Sequence, residues 1–340
     1  MWKSLKDRAE GVKEMKRMKT TEAVGQVLCH DITQIIPGVT KDAVFRKGHI
    51  IREEDIPVLL SVGKDSVYIW ENDETMMHEN DAAEVLYRMT ANEHMHPSDV
   101  KEGKIEAIAD TEGLLKVDRE KLKKVNAFGE MMIATRHGNT VVKKGDKLAG
   151  TRIIPLVIKK DKMQEAEKIC DGIPILKILP FTVKKAAIIT TGNEVYHGRI
   201  KDAFTPVIEQ KIAEFGAEMM FHEIFDDNDR KITDGCLRAI EAGADIVFCT
   251  GGMSVDPDDK TPLAIKNTGA EIISYGAPVL PGAMFLISYY NGNVPILGLP
   301  GCVMYAKRTI FDLVLPRIMA DDKVTAEELA ALGEGGLCLN

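Results

Sequence analysis

Between Ala186 and Ala320 short apolar runs alternate with helical periods, and this alternation narrows the fold more than any other feature of the 340 residues. A run of about five apolar residues bounded by loops reads as a buried strand, whereas apolar residues three and four apart read as one helix face. AAIIT, residues 186–190, is such a strand. In FTPVIEQKIAEFG, Phe204, Ile208, Ile212 and Phe215 share a face, Pro206 suits a first turn and Gly216 a terminus. EMMFHEIF reads as a strand, NDRKITDGCLRAIEAG as a helix with Ile232, Cys236, Ala239 and Ile240 inward, and ADIVFCT as a third strand. Parallel neighbours need crossovers, so this β-α-β-α-β order predicts an α/β domain with a doubly wound, mostly parallel sheet. A short helix near Pro262–Thr268, a strand AEIISYG and a hairpin turning at Asn291 and Gly292 follow. The last helix, CVMYAKRTIFDLVLPRIMA, is expected to pack Met304, Ile310 and Leu313.

The first half has another texture. Residues 20–70 and 125–158 hold short β-prone runs broken by Gly and Lys-Gly turns, with a helical period between them at Asp81–Ala91. The predicted division is therefore an N-terminal α+β or β-rich region over 18–160, a connector over 161–185, the α/β domain over 186–320 and a tail over 321–340. Residues 1–17 carry charge without a hydrophobic signal core and read as a frayed helix or as a start placed ahead of Met18.

With 44 Lys and Arg against 52 Asp and Glu, the formal charge is −8 and no bulk basic surface is available to gather nucleic acid. Any anion must be held locally. No apolar run approaches the ~18 residues of a membrane span, and a cytoplasmic protein is expected. The six cysteines form no CxxC pair and read as buried thiols. His78, His94 and His96 read as surface residues, and the Met pairs 76–77, 131–132 and 219–220 as core filler.

Three loops fall at the carboxyl ends of predicted strands, where an open α/β sheet binds its ligands. They are TTGNEVYHGRIKD, TGGMSVDPDD and GLPGC. Glycine lets backbone amides approach an anion, and Thr190, Thr191, Thr250 and Ser254 add hydroxyls. Glu194, Asp202, Asp226, Asp227, Asp256, Asp258 and Asp259 lie on the same rim. Carboxylates beside a phosphate-sized nest of amides would repel the ligand without a cation between them, which points to Mg²⁺ or a similar hard ion.

TTGNEV…GRIKD, FDDND, ADIVFCTGGMSVDPDDKT, APVLPGAMF and ILGLPG, in this order, resemble the molybdopterin-binding domain. That domain is shared by molybdopterin adenylyltransferases, molybdopterin molybdenumtransferases and competence/damage-inducible nucleotide pyrophosphatases. FRKGHIIREEDIPVLLSVG and GDKLAG are more faintly similar to the accessory β modules of the molybdenumtransferases. The resemblance implies a pterin dithiolene phosphate on Gly251, Gly252 and Ser254, with Thr191, Gly192, Asn193 and Glu194 on the facing wall and Gly282, Pro300 and Gly301 completing the crevice. It implies catalytic roles for Asp202 and Asp259, with Asp256 joining them at a metal. The implied partners are molybdopterin or its adenylate with molybdate, a molybdoenzyme client, and further copies of the chain in a dimer or trimer.

The chain departs from the family pattern at informative places. Asp256 stands where the family usually has a glycine, Ala203 and Phe204 replace a small polar pair, Ala283 replaces a lysine, and GLPGCVM lacks the usual asparagine and proline. Three functions fit: a molybdenumtransferase-like enzyme, a non-catalytic carrier or sensor of the cofactor, and a pyrophosphatase using the same crevice.

Overall fold

The computed structural model describes residues 16–36, 40–69, 75–254, 256 and 259–337. Residues 1–15, Asp258 and Cys338, which figure in the readings above, lie outside them. The chain forms two compact units, one of residues up to 111 with 116–138 and 142–178, the other of 112–115, 139–141 and 179 onward.

In the first unit, Lys16–Lys19 pairs antiparallel with Ser66–Ile69, and Ile32–Ile36 pairs with Thr40–Phe45. Leu28, Ile32, Ile51, Leu59, Val67 and Ile69 form a small core there. A second, four-stranded antiparallel sheet runs in the order Met95–Pro97, Lys104–Ala109, Lys147–Ile153, Met131–Thr135. The predicted helix at 81–91 spans Glu79–Thr90, and another spans Lys160–Cys170. His78 departs from its expected surface position. It is 4% exposed, receives the Asn80 amide on Nδ1 at 3.1 Å to cap the helix, and places Nε2 2.7 Å from the Cys29 carbonyl. Of the Met pairs, Met131 and Met132 divide by face, because neighbours on a strand alternate: Met131 is buried and Met132 exposed, while Met220 is exposed and Met76, Met77 and Met219 are half-buried.

The second unit is built on a six-stranded sheet. Its elements are β1 (Lys185–Thr191), α1 (Asn193–Tyr196), α2 (Phe204–Ala213), β2 (Glu218–Phe225), α3 (Asp229–Glu241), β3 (Ile246–Thr250), α4 (Thr261–Asn267), β4 (Glu271–Tyr275), β5 (Leu286–Tyr290), β6 (Val294–Leu299), α5 (Ile310–Met319) and α6 (Ala326–Ala330). The strand order is β2-β1-β3-β6-β5-β4, parallel from β2 through β6, with β5 antiparallel to both its neighbours. This is the predicted doubly wound, mostly parallel α/β sheet.

Alternation along the strands separates two cores. Ile188, Phe248 and Leu297 face α2 and α5 residues such as Ile208, Ile212, Phe311 and Val314. Ala187, Ile189, Val247 and Cys249 face Ile232, Cys236 and Ala239 of α3 and Ala264 and Ile265 of α4. Helices thus cover both faces, which is why β1 and β3 are apolar almost throughout. The hairpin turns at Asn291 and Gly292, both at positive φ (47° and 70°), as the Asn-Gly pair predicts.

One boundary differs from the sequence reading. The last helix starts at Ile310, because Thr309 and Asp312 form a reciprocal capping box. Residues Gly301–Met304 form a separate 3-10 turn, and Met304 is exposed instead of packed. No described helix is long and apolar enough to cross a membrane.

Candidate functional site

The carboxyl ends of β1 and β3 lie side by side, with Thr190 in register with Thr250. Directly beyond them the two loops interlock. Thr191 Oγ1 donates to the Thr250 carbonyl at 3.1 Å and lies 3.0 Å from Thr261 Oγ1, joining β1, β3 and the first turn of α4. The chain turns at Gly251 and Gly252 with φ of +81° and +53°, a region L side chains rarely occupy. A Cβ on Gly251 would sit 2.1 Å from the Thr191 carbonyl oxygen, and one on Gly252 would sit 2.9 Å from Thr261 Oγ1. Both glycines are therefore demanded by the packing of one loop on the other, whatever they bind. Thr250 is fully buried, and its Oγ1 finds no partner among the described residues.

The loop is braced further along. Met253 is buried over Gly298 of β6, where a Cβ would lie 2.4 Å from its methyl carbon. Tyr275, at the end of β4, donates its phenol to the Met253 carbonyl at 2.9 Å and reaches the Ser254 carbonyl at 3.4 Å. Burial, and after it the negative charge of Asp259, pushes the Tyr275 phenol above its ordinary value. Ser254 and Asp256 are exposed. The Asp256 amide donates to Asp259 Oδ2 at 3.3 Å, and the Asp259 amide to the Asp256 carbonyl at 3.0 Å, so Asp259 closes its own turn.

Asp202 belongs to a different hydrogen-bond system. Oδ1 accepts the amides of Phe204 (2.8 Å) and Thr205 (3.2 Å), fastening the start of α2, while Oδ2 accepts the hydroxyls of Thr205 (2.6 Å) and Thr190 (3.0 Å). His222 of β2 places Nε2 3.2 Å from Thr190 Oγ1, 3.1 Å from Thr205 Oγ1 and 3.4 Å from Asp202 Oδ2. Burial pushes the Asp202 carboxyl up, but the hydroxyls and amides outweigh it and hold the group below its ordinary value. The carboxylate expected at a metal is thus occupied by protein donors.

The other expected residues are placed as follows. Gly192, at φ +134°, starts α1, and its amide donates to the Phe225 carbonyl at 3.2 Å. The Asn193 amide donates to Asp227 Oδ2 at 3.1 Å. Glu194 is exposed, with its carboxylate folded back towards Gly192. Gly282 packs on α5, since a Cβ there would lie 2.5 Å from Ile310 Cγ2; this is a packing requirement of its own. Pro300 is buried, and Gly301 is exposed with open space around it.

The structure thus brings together Thr191, Gly251 and Gly252 in one cluster and Asp256 with Asp259 in another, and joins Asp202 to Thr190. Among the described residues no three His, Cys, Asp or Glu side chains gather in a way that could hold a metal ion. Sequence reasoning missed His222, Thr261 and Tyr275, because their partners lie 17 to 70 residues away in the chain, and it missed Thr205 although Asp202 stands three residues before it.

Residues 187–320 match the family described as "Probable molybdopterin binding domain", and residues 17–71 match one described as a domain of unknown function. A competence-damage inducible protein of Bacillus velezensis is 32% identical over 85 residues, 25% of this chain and 20% of that protein. Its counterpart in Bacillus cytotoxicus is 30% identical over 106 residues, 31% of this chain and 25% of that protein. The chain therefore spans a fifth to a quarter of the length of these curated relatives. Among solved structures, the tungsten cofactor synthesizing protein MoaB of Pyrococcus furiosus is 22% identical at a TM-score of 0.31, covering 36% of this chain and 84% of that one. The α/β unit, over residues 187–320, is a domain of the molybdopterin-binding family.

Proposed function

We propose that the chain binds molybdopterin or its adenylate at the ends of β1 and β3 and serves in assembly of the molybdenum cofactor. The observation that carries this reading is the lock between the loops. Thr191 and Thr261 fix a glycine turn between β3 and α4, whose Gly251 and Gly252 amides, with the exposed Ser254 hydroxyl, are assigned to a phosphate. At the adjacent strand end the Gly192 and Asn193 amides are already taken by the Phe225 carbonyl and Asp227 Oδ2, and Gly301 leaves open space at the third.

Mg²⁺ prefers water and one or two carboxylates together with substrate phosphate over an all-protein cage. Asp256 and Asp259 fit that donor set and would hold the ion, which would neutralise phosphate charge when bound. Asp202 does not fit it, and its part is to fasten α2 and orient its neighbours. Asp256 adds a negative charge beside the amides and is assigned to tuning anion affinity downward in the absence of a cation. Insertion of molybdate is the proposed activity.

The saturation of Asp202 favours a second reading, a carrier that binds the same ligand without turnover. Mass spectrometry of what copurifies with the full chain, before and after molybdate is added, tests the proposal. A pterin phosphate is expected, and its conversion to a molybdenum-bearing species separates enzyme from carrier. Absence of any pterin, with no binding of molybdopterin in titration, would sink both.

A further inference from the structure

We infer that His222 is a recognition residue of this site: its neutral ring form carries its hydrogen on Nε2 and presents a bare Nδ1 as acceptor for a ring N–H or amino group of the bound molecule. The tautomer follows from this unit alone. The recognition role rests on the ligand reading above.

Counting hydrogens fixes the tautomer. Thr190 and Thr205 each have one hydroxyl hydrogen, and both hydroxyls point at Asp202 Oδ2, at 3.0 and 2.6 Å. A hydrogen bond to an ionised carboxylate is about twice as strong as one between neutral groups, so these hydrogens stay there. The two hydroxyl oxygens, 3.4 Å apart, then face each other and His222 with lone pairs only. Nε2 lies 3.2 and 3.1 Å from them and 3.4 Å from the carboxylate oxygen. A bare Nε2 would set a fourth lone pair against three acceptors in a pocket where Thr190 is 2% and Thr205 8% exposed. An Nε2–H instead sets a hydrogen between the two hydroxyl oxygens. The partner of one ring nitrogen decides the state of the other, and in neutral imidazole Nδ1 is then an acceptor.

The ring is also reachable, since His222 is an exposed residue whose side chain is 27% exposed. His222 is in register with Ile188, two residues before Thr190 at the end of β1, so the ring stands on the flank of the rim that carries Gly192. A rigid acceptor there selects for a donor-bearing heterocycle, because a ligand without the donor would bury Nδ1 unpaired. Phosphate contacts at the glycine turn give no such discrimination.

The test is NMR on the full chain with ¹⁵N-labelled histidine, with 6-hydroxymethylpterin and inorganic phosphate as separate probes. The neutral His222 ring is expected to be Nε2–H, with a proton that exchanges far more slowly than that of exposed His197. Thr205→Ser should keep that proton and Thr205→Val should release it. The pterin should shift the Nδ1 resonance, and phosphate alone should not. An Nδ1–H ring, or an Nε2 proton exchanging as fast as in His197, overturns the lock. An Nδ1 resonance unmoved by pterin up to its solubility limit overturns the recognition role. Amide shifts of Gly251 and Gly252 with phosphate report the glycine turn independently, so failure at His222 and failure of the ligand site are distinguishable.

Discussion

Replacing Asp202 by alanine separates two roles for this carboxylate before any ligand is added. In the structure the group accepts four hydrogen bonds, from two amides that open α2 and from the Thr190 and Thr205 hydroxyls. At about 1 kcal/mol net for each, less what water recovers in the gap, Asp202→Ala should cost about 2 to 4 kcal/mol. The loss of its tie to the helix start lies within that range at about 1 kcal/mol. Hydrogen exchange of the α2 and β1 amides in the ligand-free chain measures it within the α/β unit. The carboxyl is held below its ordinary value of 3.8, so its contribution is present above the unfolded value and lost as pH falls through the folded one. The gap between wild type and variant should therefore be full at neutral pH and close below about pH 4. A carboxylate waiting for a metal would behave oppositely, its removal leaving the free protein unchanged or more stable. A loss under about 0.5 kcal/mol at pH 7 refutes the anchoring role.

Gly251→Ala adds a Cβ 2.1 Å from the Thr191 carbonyl oxygen at φ +81°. The conformation alone costs about 1 to 2 kcal/mol, and the displaced loop should bring the total above about 3 kcal/mol in denaturant unfolding. Tyr275→Phe removes the bonds to the Met253 and Ser254 carbonyls, so exchange at residues 251–256 should rise severalfold with a stability loss near 1 kcal/mol. Unchanged exchange there would remove Tyr275 as a brace. In the other unit, burial raises Glu79 to about 7 from 4.5, with Arg152 pulling the other way. The folded state thus favours the protonated acid below the unfolded value and loses that advantage as pH rises through the folded one. Glu79→Gln should match wild type near pH 4 and exceed it by about 1 to 2 kcal/mol at pH 8, discounted because the group is half exposed. Equal urea midpoints at pH 8 would show that its ionised form is not penalised. Asp259→Asn keeps an oxygen for the Asp256 amide but loses the charge, so folding should hold while Mg²⁺-dependent ligand affinity falls at least tenfold in calorimetry. Unchanged affinity would remove Asp259 from the metal.

The strands and helices of the second unit were legible because each buries an apolar pattern of fixed period, as with Ile232, Cys236 and Ala239 on α3. The glycine loops were legible as a place, since chain order puts them at strand ends. Their internal wiring was not. Asp202 reads as a carboxylate of the ligand rim, yet it stands two residues before the buried Phe204 and three before Thr205, the spacing of a carboxylate that fastens a helix start. His222 carries no local sign, because the partners that give it meaning sit on β1 and at the start of α2. Met304 reads as inward when the helical period is carried back through Thr309, where the Thr309–Asp312 capping box stops it. His78 reads as a surface residue in a polar stretch, but it caps the Asn80 amide two residues on and its Nε2 meets the Cys29 carbonyl 49 residues away.

Hydrogen exchange of the full chain with and without saturating molybdopterin in Mg²⁺ tests the central claim most directly. Protection is expected at the amides of Gly251–Ser254, weakened throughout by Asp259→Asn. Binding that leaves these amides unprotected, or that protects only the first unit, would contradict the assignment of the ligand phosphate to the glycine turn between β3 and α4.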